Sequence, residues 1–273
     1  MENRNKSIGV FDSGIGGLTA VKELIRLMPH ENVIYFGDTA RFPYGCRSRE
    51  TILKYAAEDV AFLKTHDIKM IIAACGTVSS VIGDGTDNVL AGDLPFTGVL
   101  MPAARAACAA TKNGKIGVIG TLATIKSGSY DRAVKSIMPV AEVFGQACPL
   151  FAPLAENGYT ERGNAVASLV TEEYLAPVRD SGADVLILGC THYPLLRGII
   201  SDYMGEGVTL ISPGGEAAKF AQKLLSERGL LNNSGKIGEH TYYVSDSPET
   251  FDENAALYLG HEVKGKLITE KDI

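Results

Sequence analysis

Two cysteines stand where an α/β protein places its chemistry. Cys75 follows the run Met70-Ile71-Ile72-Ala73-Ala74 and precedes Gly76-Thr77; Cys190 follows Val185-Leu186-Ile187-Leu188-Gly189 and precedes Thr191-His192. Each apolar run reads as a buried strand, and in a parallel α/β sheet the carboxyl ends of the strands line the ligand crevice. A free cysteine is more often a small buried hydrophobe, the reading given to Cys108 and Cys148. At 75 and 190 the chain turns polar where a core strand would stay apolar. Two thiols facing one pocket could form a redox disulfide, but neither lies in a Cys-x-x-Cys pair. The other arrangement sets one on each face of a small substrate, a thiolate as base and a thiol as acid. A thiol with an ordinary pKa of about 8.5 can be tuned to work near neutral pH. Asp12 and His192 lie at the corresponding strand ends to relay its proton. One base and one acid on opposite faces of a carbon invert a stereocentre.

The elements that must hold these residues alternate. Apolar runs at 7–12, 32–37, 69–74, 96–100, 115–120, 140–145, 184–189, 208–211 and 240–245 read as strands. Their near-continuous apolarity is that of parallel strands buried on both faces. Between them lie amphipathic stretches such as 48–66, where Ile52, Leu53, Ala56, Val60 and Leu63 recur at helical spacing. Ser212-Pro213 and Ser247-Pro248 each read as an N-cap followed by proline at the first helical position. The fold class is therefore α/β with a mainly parallel sheet. There is also an internal repeat. Ile8-Gly9-Val10-Phe11-Asp12-Ser13-Gly14 resembles Ile116-Gly117-Val118-Ile119-Gly120-Thr121, and the two strand-Cys-Thr units follow in the same order, the copies being about 110 residues apart. The tail from about 212 to 273 lies outside the repeat and is expected to pack back on the first half.

Composition removes several function classes. The 273 residues are 45% hydrophobic, enough to build the core of one large domain or two modest ones. A net charge of −6 argues against a dedicated binder of nucleic acid or anionic membrane. No apolar run approaches the ~18 residues of a membrane helix, and residues 8–11 are too short for a signal-peptide core. Five widely spaced cysteines make no disulfide framework and suit a reducing cytoplasm. Among Cys and His only Cys190 and His192 lie close together, so no metal site is expected. The loop Asp12-Ser13-Gly14-Ile15-Gly16-Gly17 is neither a P-loop nor a GxGxxG fingerprint. Its backbone N–H groups, at the start of a helix over 18–28, would suit a carboxylate; a plain tight turn is the alternative. Thr121 and Thr124 offer hydroxyls for the same task in the second half.

The chain resembles the glutamate racemases of the aspartate/glutamate racemase superfamily over essentially its whole length. The motifs are Phe11-Asp12-Ser13-Gly14-Ile15-Gly16-Gly17-Leu18-Thr19, Phe36-Gly37-Asp38-Thr39-Ala40-Arg41, Pro43-Tyr44-Gly45, Gly120-Thr121 and Gly189-Cys190-Thr191-His192-Tyr193-Pro194. The resemblance implies two pseudo-symmetric lobes facing each other across the site, residues 1–99 with 212–273 and residues 100–211. It implies cofactor-independent racemisation supplying D-glutamate for peptidoglycan, in a cytoplasmic homodimer. Cys75 then matches the residue that deprotonates D-glutamate and Cys190 the one that deprotonates L-glutamate. Asp12 matches the acidic partner of the first thiol, His192 that of the second, and Glu156 a further acidic residue beside it. Asp12, Ser13, Tyr44, Gly45, Gly76, Thr77, Thr121, Thr191 and His192 fall at substrate-binding positions.

One position departs from the pattern. The family usually carries Asn directly after the first cysteine, where this chain has Gly76. The missing amide is expected to weaken substrate binding, and a Gly76→Asn chain to fold and work with an equal or lower KM. Cys46, just past Tyr44-Gly45, reads as incidental. The competing readings are a racemase of another small amino acid such as aspartate, kept open by Gly76, and a non-catalytic amino-acid-binding regulator, which would need neither thiol.

Overall fold

Fully buried strands need cover on both faces, and the chain supplies it twice. The computed structural model describes residues 2–82 and 90–269. Strands β1 (Ser7–Asp12), β2 (Val33–Gly37), β3 (Ile68–Ala73), β4 (Phe96–Gly98), β9 (His240–Val244) and β10 (Gly265–Leu267) form one sheet in the order β10-β9-β2-β1-β3-β4. Strands β5 (Lys115–Gly120), β6 (Glu142–Ala147), β7 (Val185–Leu188) and β8 (Thr209–Ile211) form the other, β6-β5-β7-β8. Every neighbouring pair runs parallel. The inner order β2-β1-β3-β4 recurs as β6-β5-β7-β8, so the repeat in the sequence is a repeat of topology.

The helices are α1 (Leu18–Leu27), α2 (Arg49–Lys64), α3 (Gly76–Ile82), α4 (Leu100–Ala110), α5 (Leu122–Ser127), α6 (Ser129–Ile137), α7 (Phe151–Glu156), α8 (Ala165–Asp180), α9 (Arg197–Met204), α10 (Pro213–Glu227) and α11 (Pro248–Leu259). They cover the two faces of each sheet, and the period of two along a strand divides the cores. From β1, Ile8 and Val10 pack with Leu24 of α1, whereas Phe11 packs with Leu63 of α2 on the opposite face. The second sheet repeats this: Ile116 and Val118 join Ala103 of α4, and Ile119 joins Leu175 of α8.

The tail joins the first sheet. β9 pairs with β2, and Ala217, Ala218, Ala221 and Leu225 of α10 share the core of Leu18 and Leu24. All nine expected strands are present, β6 two residues later than its apolar run suggests. β10 is additional: Gly265-Lys266-Leu267 is a three-residue edge strand with two exposed side chains, too short and too polar to show a period. Ser212 caps α10 by accepting from the Gly215 N–H at 3.4 Å. Ser247 does not cap α11. Its backbone is left-handed at φ 45° and its hydroxyl donates to Asp246, so the Ser-Pro pair there marks the helix start without a side-chain cap.

Candidate active site

The site grows from the carboxyl ends of four equivalent strands. β1 delivers Asp12 and Ser13, β3 delivers Cys75, β5 delivers Thr121 and β7 delivers Cys190. Between the two sheets these ends enclose a cavity of about 290 Å³. Ser13, Tyr44, Gly45, Cys75, Gly76, Thr77, Thr121, Glu156, Cys190, Thr191 and His192 all line it. Thr19 Oγ1 donates to the Thr191 carbonyl at 2.9 Å, and the Thr77 and Thr121 hydroxyls meet at 3.4 Å, so polar contacts join the halves behind and beside the cavity.

The two thiols sit in unlike surroundings. Cys75 is buried, and its Sγ–H donates to Ser13 Oγ at 3.4 Å. Burial first, and then the carboxylate of Asp12, push this thiol up to about 12. Cys190 lies 3.7 Å from Nδ1 of His192, whose Nε2 is 2.8 Å from Glu156 Oε1. Burial alone would lower the imidazole, but its hydrogen bonds to Cys190 and Glu156 outweigh that and carry it up to about 10. One half thus holds a thiol that keeps its proton, and the other a thiol against an imidazolium.

Asp12 lies one layer behind the cavity and does not line it. Its Oδ2 accepts from the backbone N–H groups of Gly14 (3.3 Å) and Gly17 (3.0 Å). The loop that could have held a substrate carboxylate with these amides therefore holds the chain's own. Asp12 is still raised above the ordinary carboxylate range, chiefly by burial, with His192 and the loop amides pulling the other way. Its other oxygen, Oδ1, is buried with no hydrogen-bond partner among the described residues, and its charge bears on Cys75. Thr124 is also withdrawn, being buried with its N–H and hydroxyl turned to Thr121 Oγ1. Tyr44 lines the cavity, but its hydroxyl is spent behind the wall on Asp38 and Asp59.

A family model for Asp/Glu/hydantoin racemases matches residues 13–221. The chain belongs to the Asp/Glu/hydantoin racemase family. Within it, a glutamate racemase of Geobacter metallireducens is 46% identical, the alignment covering 93% of each chain. Among solved structures, a glutamate racemase isoform from Bacillus anthracis superposes with a TM-score of 0.92 at 37% identity over 97% of this chain and 98% of that one. A Francisella tularensis glutamate racemase in complex with D-glutamate gives 0.88 at 38% identity, with the same coverage.

Against that family pattern, Gly76 is tighter than the sequence suggests. A Cβ built there would lie 2.5 Å from the Gly189 carbonyl oxygen, backbone of the opposite half. The expectation that a Gly76→Asn chain works with an equal or lower KM meets a steric obstacle, because a side chain there would have to move the two backbones apart. Sequence reasoning also passed over part of the wall. Phe42, Leu122, Pro149, Ala152 and Pro153 line the cavity, and Cys46, read as incidental, stands there with its Sγ 3.4 Å from the Pro43 carbonyl. Their signal was weak because Phe42 and Pro149 lie in connections, and the helices that hold Leu122, Ala152 and Pro153 are only six residues long, too short to show a period. Phe42 and Leu122, exposed yet beside the motif residues Pro43 and Thr121, are the two that could have been found.

Proposed function

We propose that this racemase interconverts L- and D-glutamate without a cofactor, with Cys75 and Cys190 as its two acid/base groups. The carrying observation is that two thiols from equivalent strand ends face one cavity in opposite electrostatic settings. With Cys190 as thiolate beside the His192 imidazolium and Cys75 as thiol, the pair is set for L-glutamate. Cys190 takes the α-proton, leaving the C–H electron pair on the α-carbon. Cys75 then gives its proton to the opposite face, and D-glutamate leaves with Cys75 as thiolate and Cys190 as thiol. The reverse reaction begins from that second state.

Recognition falls to neutral donors. Among the described residues no Lys or Arg lines the cavity, and its hydroxyls come from Ser13, Thr77, Thr121 and Thr191. Hydrogen bonds from such groups to a carboxylate are worth about 1.5–3 kcal/mol each, so several together can hold two carboxylates. On the same reading the enzyme is a cytoplasmic homodimer that supplies D-glutamate for peptidoglycan.

The test is a circular-dichroism assay of pure protein with both enantiomers of glutamate and of aspartate, without added cofactor. Glutamate should racemise from either side to the same end point, before and after treatment with a chelator. Turnover of aspartate with glutamate untouched would overturn the substrate assignment.

A further inference from the structure

Behind the Tyr44–Gly45 wall lies an ionisable cluster that racemisation does not use. Asp38 follows β2, Tyr44 and Arg41 lie on the loop after it, and Glu58 and Asp59 face them from α2. Tyr44, Asp38 and Asp59 are all fully buried. The Tyr44 hydroxyl contacts Asp38 Oδ2 and, at 3.1 Å, Asp59 Oδ2. Arg41 meets three carboxylates: Asp38 through Nε at 2.5 Å, Asp59 Oδ1 through Nη2 at 3.0 Å, and Glu58 through Nη1.

Counting protons decides how this arrangement holds. An ionised carboxylate only accepts, and a tyrosine hydroxyl has a single hydrogen to give. With Asp38 and Asp59 both ionised, one of the two contacts at Tyr44 would set lone pair against lone pair in a buried site. One further proton removes that conflict. Asp38 does not need it, because it already accepts from Arg41, from Tyr44 and, at 2.8 Å, from the Ser245 hydroxyl. Among the described residues, the one hydrogen-bond partner of Asp59 Oδ2 is the Tyr44 hydroxyl. Charge points the same way: Glu58 is part-exposed and also has Lys54 Nζ at 3.9 Å, whereas the two fully buried carboxylates, Asp38 and Asp59, share the single guanidinium of Arg41.

We propose that Asp59 is a protonated, neutral donor that positions the Tyr44–Gly45 wall of the substrate cavity. Its Oδ2–H donates to Tyr44 Oη, the Tyr44 O–H donates to Asp38, and Asp59 Oδ1 accepts from Arg41. The relay fixes Tyr44 from behind and thereby the backbone that faces the cavity. Burial, then the charge of Asp38, raise the Asp59 carboxyl well above its ordinary range, in keeping with this proton. Asp59 is a positioning residue, since it does not line the cavity.

The inference that Asp59 affects substrate binding rests on the glutamate reading; the protonation itself does not. Asn reproduces the neutral form, with its amide donating to Tyr44 and its oxygen accepting from Arg41. Asp59→Asn should therefore keep KM for glutamate within about twofold of wild type, whereas Asp59→Leu, which loses both bonds, should raise KM about tenfold with kcat less affected. Thermal melts establish that each variant is folded. Independently, infrared spectra at neutral pH should show a carboxylic-acid carbonyl band in wild type that is missing in Asp59→Asn. Absence of an Asp59-dependent band, or Asp59→Asn as damaging as Asp59→Leu, overturns the proton assignment. An unchanged KM in a folded Asp59→Leu overturns the positioning role. If wild type ignores glutamate, the functional reading fails while the infrared result still decides the proton.

Discussion

The two halves of the site come from one repeated unit, yet they hold their thiols differently. Both place a cysteine after the third strand of the same topology, β3 or β7. Around Cys75 the neighbours are a hydroxyl, Ser13, and a buried carboxylate, Asp12, and both burial and charge hold the proton on sulfur. Around Cys190 the neighbour is the imidazole of His192, backed by Glu156 and carried, against burial, up to about 10 by its hydrogen bonds to Cys190 and Glu156. Duplication alone gives two like groups. On the proposed two-thiol reading the groups must be unlike at any instant, and the flanking residues differ accordingly: Thr-His after Cys190, Gly-Thr after Cys75.

The comparison is tested most severely by removing one thiol at a time. Cys75→Ala and Cys190→Ala should each cut racemisation by at least about a thousandfold, because a base without an acid on the opposite face cannot complete inversion. Polarimetry on folded variants checks this. Substantial activity in either would mean that the halves are not partners.

A smaller effect reads the asymmetry itself. Alkylation by iodoacetamide follows the thiolate, so Cys190, with the positive His192 beside it, should be the faster of the two to react. Cys75, held up to about 12, should lag behind it and accelerate with every rise in pH to the limit of folding. His192→Gln should slow Cys190 alkylation and lower kcat/KM equally in both directions, since the enantiomers have equal free energy and the ratio of the two constants is fixed. Stability has a defined sign as well. A histidine raised from 6.5 to about 10 by folding contributes stability that is complete below pH 6.5 and is lost as pH rises through 10. Melting temperature should therefore fall between those limits, and His192→Gln should flatten the fall. Equal alkylation of the two cysteines at neutral pH would remove the contrast.

Most of the frame was legible because parallel strands are buried on both faces and write themselves as apolar runs; β1, β3, β5 and β7 carry the site at their ends. The cysteines were legible through the abrupt change of polarity after them. What the sequence did not display was depth. Asp12 reads as a site residue, and only the fold shows its carboxylate wrapped by Gly14 and Gly17. Asp59 reads as one polar position on an amphipathic helix, and only the fold sets it against Tyr44 and Arg41. Gly76 reads as a missing contact, whereas in space it is a close approach of two backbones. Each of these depends on contacts between segments remote in the chain, which no local pattern encodes.

Among the glycines where the halves touch, Gly76 and Gly45 differ in tolerance. At Gly76, deep in the cleft, a Cβ would meet the Gly189 carbonyl at 2.5 Å, and backbone cannot swing aside as a side chain can. Gly76→Asn should cost about 1–3 kcal/mol in stability, as overpacking does. It should lower kcat by up to about a hundredfold, because parting the halves also parts the two thiols. At Gly45, on the wall, a Cβ would meet Thr121 Cβ and Oγ1 at 3.4 Å, ordinary contact with a side chain. Gly45 is also not among the glycines with positive φ, so alanine can adopt its backbone without strain. Gly45→Ala should therefore leave kcat and KM within about threefold and change stability by no more than about +0.4 to +1 kcal/mol, the gain coming from a less flexible unfolded chain. Melting curves and steady-state kinetics on the two variants side by side measure the contrast. Equal damage from both would mean that the wall is as tightly closed as the deep contact, and that Gly76 has no special part in bringing the thiols together.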